Sequence, residues 1–503
     1  MMRPINFRPI LFCALSLILG LILFRFSPSL KIWTFLLPII LFAIIFLIFY
    51  FFGEKNKRKI AFFTIGACLC FAFIGIALLG VRVSVTSNDV VKNGEYQING
   101  VVDSVTYKHG KYYVKLKDCA YNGEKSGDLF IYAIDEEVGI YDVLSLKGYV
   151  YSQDKDDGKK ISESIISGQS MACSNYYDLQ IVGKQKGVAS WFKVKTDEAF
   201  KKALGDKFGI FSALLRGDVS EMKETVSTFR TVGIAHVFAV SGMHIGLVFA
   251  ALSFILKKIP LNRYLKTAIV CFFLFFYSYL CGFTPSSLRA SIMCSCIAIA
   301  KITGEKYDGV NALSEASIIV LTISPTELFS AGFVLSFTIC FSIIVLAPTF
   351  KNLFKFLPEE FSSSLSVLMS SQTAVIPLSV IFFGGFSLIS FIANFLLLPV
   401  VTIIFYFLII GVVICLILPI NALIALFIPQ ILVVGTTGVI SFLATIPLAI
   451  TYFPTAFTVC YYSLMLCVSD FVNLPKKAKV LCGAVAFSLI LLSVFMGFFT
   501  INA

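Results

Sequence analysis

Apolar runs long enough to cross a bilayer recur along this chain, and no other feature narrows its fold so far. In hydrocarbon every backbone N–H and C=O must be satisfied internally, so such runs are read as helices. Of 503 residues, 58% are hydrophobic and only 14% charged. A soluble protein carries roughly 25% charged residues. The fold class that follows is a polytopic α-helical membrane protein. Arg3 and Arg8 precede the first run as in a signal peptide. No small-x-small cleavage site follows, so a retained first helix is expected.

Three spans are expected in an N-terminal unit, residues 1–81, at 9–27, 32–52 and 60–80. The basic run Glu54-Lys-Asn-Lys-Arg-Lys59 lies between the last two and belongs in the cytoplasm, so residue 82 emerges outside. Residues 82–185 change character. Tyr96-Gln-Ile-Asn-Gly-Val-Val102, Tyr112-Tyr-Val-Lys-Leu-Lys117, Leu129-Phe-Ile-Tyr-Ala133 and Val143-Leu-Ser-Leu-Lys-Gly-Tyr-Val150 alternate with period two. Turn-forming residues separate them, which argues an inserted antiparallel β-barrel on the extracytoplasmic side. Residues 186–205 read as a basic amphipathic helix on the membrane surface. From 206 to 475 the chain is membrane core, and 476–503 holds a last helix. Residues 386–418 are too long for one span and suggest a half-span followed by a full one. About 13 crossings result, with the basic loops on one side.

The net charge is +12, yet residues 82–203 hold 17 basic and 17 acidic residues. The membrane part therefore carries the whole excess. A polyanion partner and the ordinary enrichment of cytoplasmic loops in Lys and Arg both account for it. Twelve of the 14 cysteines lie in apolar segments and behave as small hydrophobes. Cys119 and Cys173 alone lie in the polar domain, where an oxidising side permits a disulfide.

Residues 229–256 form one long apolar stretch containing Gly233-Ile-Ala-His-Val-Phe-Ala-Val-Ser-Gly-Met-His-Ile-Gly246. It carries two of the three histidines. On a continuous helix His236, Ser241 and His244 share an arc of less than half the circumference. Such a stripe faces protein or water rather than lipid, and Ser241-Gly242 is a plausible break. Metal ligation, a nucleophile with its base, helix-packing hydrogen bonds and pore lining all remain open for it. A metal would need a third ligand, such as Asp218, Glu221 or Glu224 folding back, and a nucleophile would need an orienting acid. Arg289, Arg216 and Arg230 adjoin apolar sequence, where Arg either snorkels or meets phosphate. Gln372, Asn394 and Glu327 are polar among apolar neighbours, and Glu327 reads as a first-turn acid.

The 233–246 run resembles the signature of the ComEC competence family. Phe211-Ser-Ala-Leu-Leu-Arg-Gly-Asp218 and Phe229-Arg-Thr-Val-Gly233 resemble its lead-in. Gly282-Phe-Thr-Pro-Ser-Ser-Leu-Arg-Ala290, Gly332-Phe-Val-Leu-Ser-Phe337, Gln372-Thr-Ala-Val-Ile-Pro377 and Ala393-Asn-Phe-Leu-Leu-Leu-Pro399 follow in the family's order. The resemblance implies an inner-membrane channel for uptake of single-stranded DNA in natural transformation, with residues 82–185 as an OB-like domain. It marks His236, Ser241, Gly242, His244, Gly246, Arg289, Gln372 and Asn394 as pore or transport residues. It implies a separate DNA receptor, a separate nuclease, and a cytoplasmic ATPase or DNA-binding protein as partners, beside the bilayer. The oligomeric state is open.

No P-loop occurs, and no HxHxDH-type motif of the metallo-β-lactamase-like domain that many relatives carry at the C-terminus. No cofactor, metal or nuclease activity is therefore expected. With 11 basic and 15 acidic residues, positions 82–182 depart from a good DNA-binding groove, so a scaffold role stands beside DNA binding. Two readings of other kinds are kept: a membrane-embedded metal-dependent hydrolase using both histidines, and a transporter of another anionic polymer.

Overall fold

The computed structural model describes residues 8–26, 55–88, 92–108, 111–152, 171–205, 208–220, 222, 225–417, 422–446, 449–450, 455–469 and 475–501. The expected span at 32–52, and Glu221 and Glu224, lie outside them. Two helices open the chain, α1 (Pro9–Phe26) and α2 (Lys55–Asn88). The second begins within the basic run and continues seven residues past the expected domain boundary at 81.

The polar region is a closed barrel. Its strands are β1 (Gly94–Lys108), β2 (Lys111–Tyr121), β3 (Glu124–Lys125), β4 (Leu129–Ile134), β5 (Asp142–Ser152) and β6 (Met171–Lys184). The order is β1-β5-β6-β4-β2-β3, and a β1–β2 pairing closes five of them into a ring. All pairings are antiparallel except β4 with β6. The alternating residues point inward, and Ile98, Val114, Leu116, Ile131, Leu144 and Val150 are fully buried. The sixth strand was not anticipated, because its sequence alternates poorly.

Cys119 and Cys173 are both buried in this core, and both are free thiols. The expected bridge is corrected by register. Cys173 is level with Ile131, and Ile131 with Val114, five residues from Cys119. Two strand spacings alone come to about 10 Å, beyond the ~7 Å Cα separation that a disulfide spans.

The helical region follows: α3 (Val188–Leu204), α4 (Gly209–Arg216), α5 (Thr225–Val232), α6 (Gly242–Lys257), α7 (Arg263–Leu280), α8 (Pro285–Thr303), α9 (Gly309–Ile323), α10 (Ala331–Leu353) and α11 (Glu359–Phe383). Then come α12 (Ser390–Ile417), α13 (Ala422–Ala425), α14 (Phe427–Leu443), α15 (Thr455–Val468) and α16 (Lys476–Ile501). A two-residue pairing joins Phe386–Ser387 (β7) to Ala449–Ile450 (β8). The helix starts are legible: Asn262, Thr284 before Pro285, Asp308 and Ser330 each accept a first-turn N–H. Glu327 lies in the first turn of a short 3₁₀ segment, as expected for a helix-starting acid.

Among the described residues six helices are long and apolar enough to cross a membrane: those holding Gly66–Val83, Arg263–Leu280, Pro285–Thr303, Ala331–Leu353, Glu359–Phe383 and Ser390–Ile417. Five shorter apolar helices accompany them. Two expectations are corrected. Residues 386–418 are not a half-span plus a span. Ser390–Ile417 is one 28-residue helix with Pro399 inside it. Nor does α3 simply lie on a lipid surface. Its Phe200 is fully buried against Phe211 of α4, within a core shared with α5, α12 and α14. Val188, Trp191, Lys195, Glu198, Lys201 and Lys202 face outward.

Candidate functional site

The 229–256 stretch is broken where the notable residues lie. Helix α5 ends at Val232, a 3₁₀ turn covers Ala235–Val237, and α6 starts at Gly242. Gly233 ends the first helix with φ +80. A Cβ there would lie 2.6 Å from the Ser390 Cβ, so both the left-handed backbone and the close packing demand glycine. The single-helix wheel that grouped His236, Ser241 and His244 is therefore wrong, since non-helical backbone separates the first from the others.

Ser241 is the N-cap of α6. Its hydroxyl accepts from Met243 N–H at 3.3 Å, and its own N–H donates to His244 Nδ1 at 3.3 Å. This is a capping box with histidine in the returning position. Nδ1 accepts, so Nε2 carries the proton. His244 is fully buried, with its ring 4.7 Å from that of Phe405 on α12 and its Nε2 without a hydrogen-bond partner among the described residues. His236 is exposed on the 3₁₀ turn. His244 is committed to a cap. Among the described residues no three His, Cys, Asp or Glu side chains gather in a way that would hold a metal ion.

Gly242 and His244 are two residues apart, about 200° around α6, so they face different neighbours. Gly242 faces α8. A Cβ on it would lie 2.7 Å from Arg289 Nη2. Arg289 is 8% exposed, donates Nη1–H to the Ser336 carbonyl oxygen, and lies 5.9 Å from the Phe337 ring. Three segments far apart in sequence thus meet at one guanidinium: 241–246, 282–290 and 332–337. Gly246, on the same helix, has no atom within 4 Å of where its Cβ would be, so no protein group packs closely against it.

The other two segments meet at the other end of the break, beside Gly233. Gln372 on α11 donates to the Ser390 carbonyl at 3.5 Å, and Ser390 Oγ donates to Gln372 Oε1 at 3.4 Å. Ser390 is the residue against which Gly233 packs. One turn on, Asn394 is 2% exposed with its Oδ1 unpartnered. It lines a cavity of about 20 Å³ with Leu214, Phe229, Val237 and Thr436. The break thus lies between a buried cation and two buried amides.

A second polar cluster escaped the sequence reading. Lys193 of α3 donates to Asp218 at 2.5 Å. Arg216 pairs with Asp197 at 2.6 Å, reaches Asp218 at 3.9 Å and hydrogen-bonds Thr196. Lys193, Arg216 and Asp218 are buried. Burial raises the Asp218 carboxyl, but Lys193, Arg216 and Ser220 outweigh it and hold the group below the usual carboxylate range. Arg216 does not snorkel. Its partners were hidden in a helix whose charges looked solvated.

On the barrel, Lys111, Lys115 and Lys117 share the outer face of β2. Each has a carboxylate: Asp135 at 3.4 Å, Asp128 at 3.4 Å and Asp103 at 2.6 Å. That face is self-neutralised.

A family model described as Competence protein matches residues 214–473. ComE operon protein 3 of Bacillus subtilis (strain 168) is 30% identical over 198 residues, 39% of this chain and 25% of that protein. Recombination protein 2 of Haemophilus influenzae is 26% identical over 212 residues, covering 38% and 26%. An uncharacterized protein of Aquifex aeolicus is 25% identical over 206 residues, covering 40% and 46%. This chain therefore spans between a quarter and a half of these relatives. No solved structure matches. The family match takes in just over half of the chain and every residue of the broken signature and its two flanking clusters. The chain belongs to the Competence protein family, that of ComEC.

Proposed function

We propose that this protein is a multi-pass channel of the bacterial inner membrane through which single-stranded DNA enters during natural transformation. Family membership supports a role in competence. The observation that carries the channel reading is the signature break. Irregular backbone at membrane depth is tolerated where it is packed in protein or lines an aqueous path. Here it lies between Arg289 and the Gln372–Asn394 side. Of the eight candidate residues, Gly242, Arg289, Gln372 and Asn394 belong to the path's wall, His236 faces its open side, and Ser241 and His244 hold the helix start. Gly246 has no assigned part.

The barrel, residues 94–184, is read as the OB-like domain on the extracytoplasmic side. Its paired lysines favour a scaffold or guide over a strand-binding groove of its own. The reading is of a channel rather than an enzyme, so a separate receptor, a separate nuclease and a cytoplasmic ATPase or DNA-binding protein supply the strand and the pull. The capping role of His244 speaks against the metal-dependent hydrolase.

Marker uptake into a deletion strain complemented with this chain tests the reading. Wild type should restore transformation. Gly242→Leu should abolish it while leaving the protein in the membrane, because a side chain there displaces Arg289. Uptake unchanged by Gly242→Leu, or no restoration by wild type in a transformable host, removes the channel reading.

A further inference from the structure

We propose that Arg289, held against the N-terminus of α6, forms a buried site for a phosphate oxyanion. Guanidinium stays charged at any physiological pH. Arg289 is more than nine-tenths buried, yet no ion pair is formed by it among the described residues. Its Nη1 meets a backbone carbonyl, its Nη2 lies under Gly242, and its Nε has no hydrogen-bond partner among the described residues. Contrast Arg216, equally buried but facing Asp197 and Asp218. The neighbour of Arg289 adds to the imbalance. Helix α6 is 16 residues long and directs its N-terminus, worth roughly half a positive charge, at the same place. Two positive ends meet without an anion, and an uncompensated buried charge is strongly unfavourable.

Gly242 is what permits the arrangement, since any Cβ would push the guanidinium away. Arginine's planar fork and a helix N-terminus are both suited to phosphate oxygens. The phosphate comes either from a nucleic-acid backbone or from a lipid head group. The channel reading bears only on which of these it is.

The test uses the full-length protein purified in a neutral detergent. Thermal midpoints are measured with inorganic phosphate and with sodium chloride at matched ionic strength. Phosphate should raise the wild-type midpoint, and a charge-assisted hydrogen bond of this kind should make binding to Arg289→Gln at least about tenfold weaker. Gly242→Ala should weaken it likewise, whereas Arg289→Lys should retain part of the shift and Arg263→Gln all of it. Competition by oligothymidylate, and not by its uncharged methylphosphonate analogue, identifies a strand. Competition by short-chain phosphatidylglycerol identifies a lipid. An equal phosphate shift in wild type and Arg289→Gln overturns the site, and so does a wild type indifferent to phosphate. If Arg289→Gln fails to fold, Gly242→Ala and Arg289→Lys carry the comparison. Binding is read on isolated protein, so its failure leaves the uptake test standing. A phosphate site in a protein that restores no uptake would remove the channel and keep the site.

Discussion

Substituting Asp218 by Asn is expected to unseat the helix that joins barrel to core. In the native protein two cations and two anions balance: Lys193 with Asp218 at 2.5 Å, and Arg216 with Asp197 at 2.6 Å. The Lys193 and Asp218 side chains are 8% and 5% exposed. Asparagine keeps the shape and still accepts from Ser220, but it leaves Lys193 as a buried ammonium without an anion. Breaking a buried pair from one side costs about 3–5 kcal/mol. Lys193→Met alone leaves Asp218 with Arg216 as its remaining cation, so its loss should be smaller. The double variant removes both charges and leaves Arg216–Asp197 intact. It should therefore lose about as much as Lys193→Met alone, so the coupling equals the Asp218→Asn loss, about 3–5 kcal/mol. The chain has two tryptophans, and Trp191 is two residues from Lys193 on α3. With Trp33 replaced by Phe, fluorescence of Trp191 during thermal unfolding in detergent reports this junction. The exposed pair Lys195–Glu198 is the control, worth no more than about 0.5 kcal/mol. The pH sign also follows. The carboxyl of Asp218 is depressed when folded, so its contribution is present above the ordinary value of 3.8 and is lost as pH falls through the lower folded value. Asp218→Asn should lack that acid-sensitive component. Additive losses in the double variant, or a single-variant loss under about 1 kcal/mol, would refute the reasoning.

Gly233→Ala should destabilise by about 1–3 kcal/mol, since it combines φ +80 with a clash at Ser390, measurable by the same unfolding assay. A Gly246→Ala variant, with open space at that position, should behave as wild type in both folding and uptake. Burial raises the Cys119 thiol to about 12 and the Cys173 thiol to about 11, so neither should react with maleimide at neutral pH until the barrel unfolds, by mass spectrometry. Both values lie above the unfolded 9.0, so the barrel should keep this stability below pH 9 and lose it as pH rises through 11–12, and reductant should leave its melting unchanged. Single cysteines at 236 and 244, in a background without native cysteines, should differ: water-soluble thiol reagents should reach the first and not the second.

Much of the architecture was written locally. Spans, caps and alternating strands are properties of a few consecutive residues, because helix and strand periods repeat within a turn or two. Asp308 and Ser330 start helices wherever those helices end up. The motif segments were also visible as segments, and so was Glu327 at a helix start. The span at 386–418 was misjudged because proline in a membrane helix is tolerated when neighbours re-satisfy the backbone, and neighbours are not in the local sequence.

What remained was decided by tertiary structure alone. Arg289 and Arg216 look alike in sequence, each a cation beside apolar residues. One lies under Gly242 with no ion pair among the described residues, and the other is tied to Asp197 and Asp218. Cys119 and Cys173 suggested a bridge by being the only pair in their domain, until strand register set them apart. The histidine stripe lost its basis for a similar reason: a break of a few residues removes the single-helix geometry that grouped His236 with Ser241 and His244. Sequence spacing measures distance along the chain. Charge compensation, disulfide reach and shared ligation depend on distance through space, which only the packing of remote helices and strands determines.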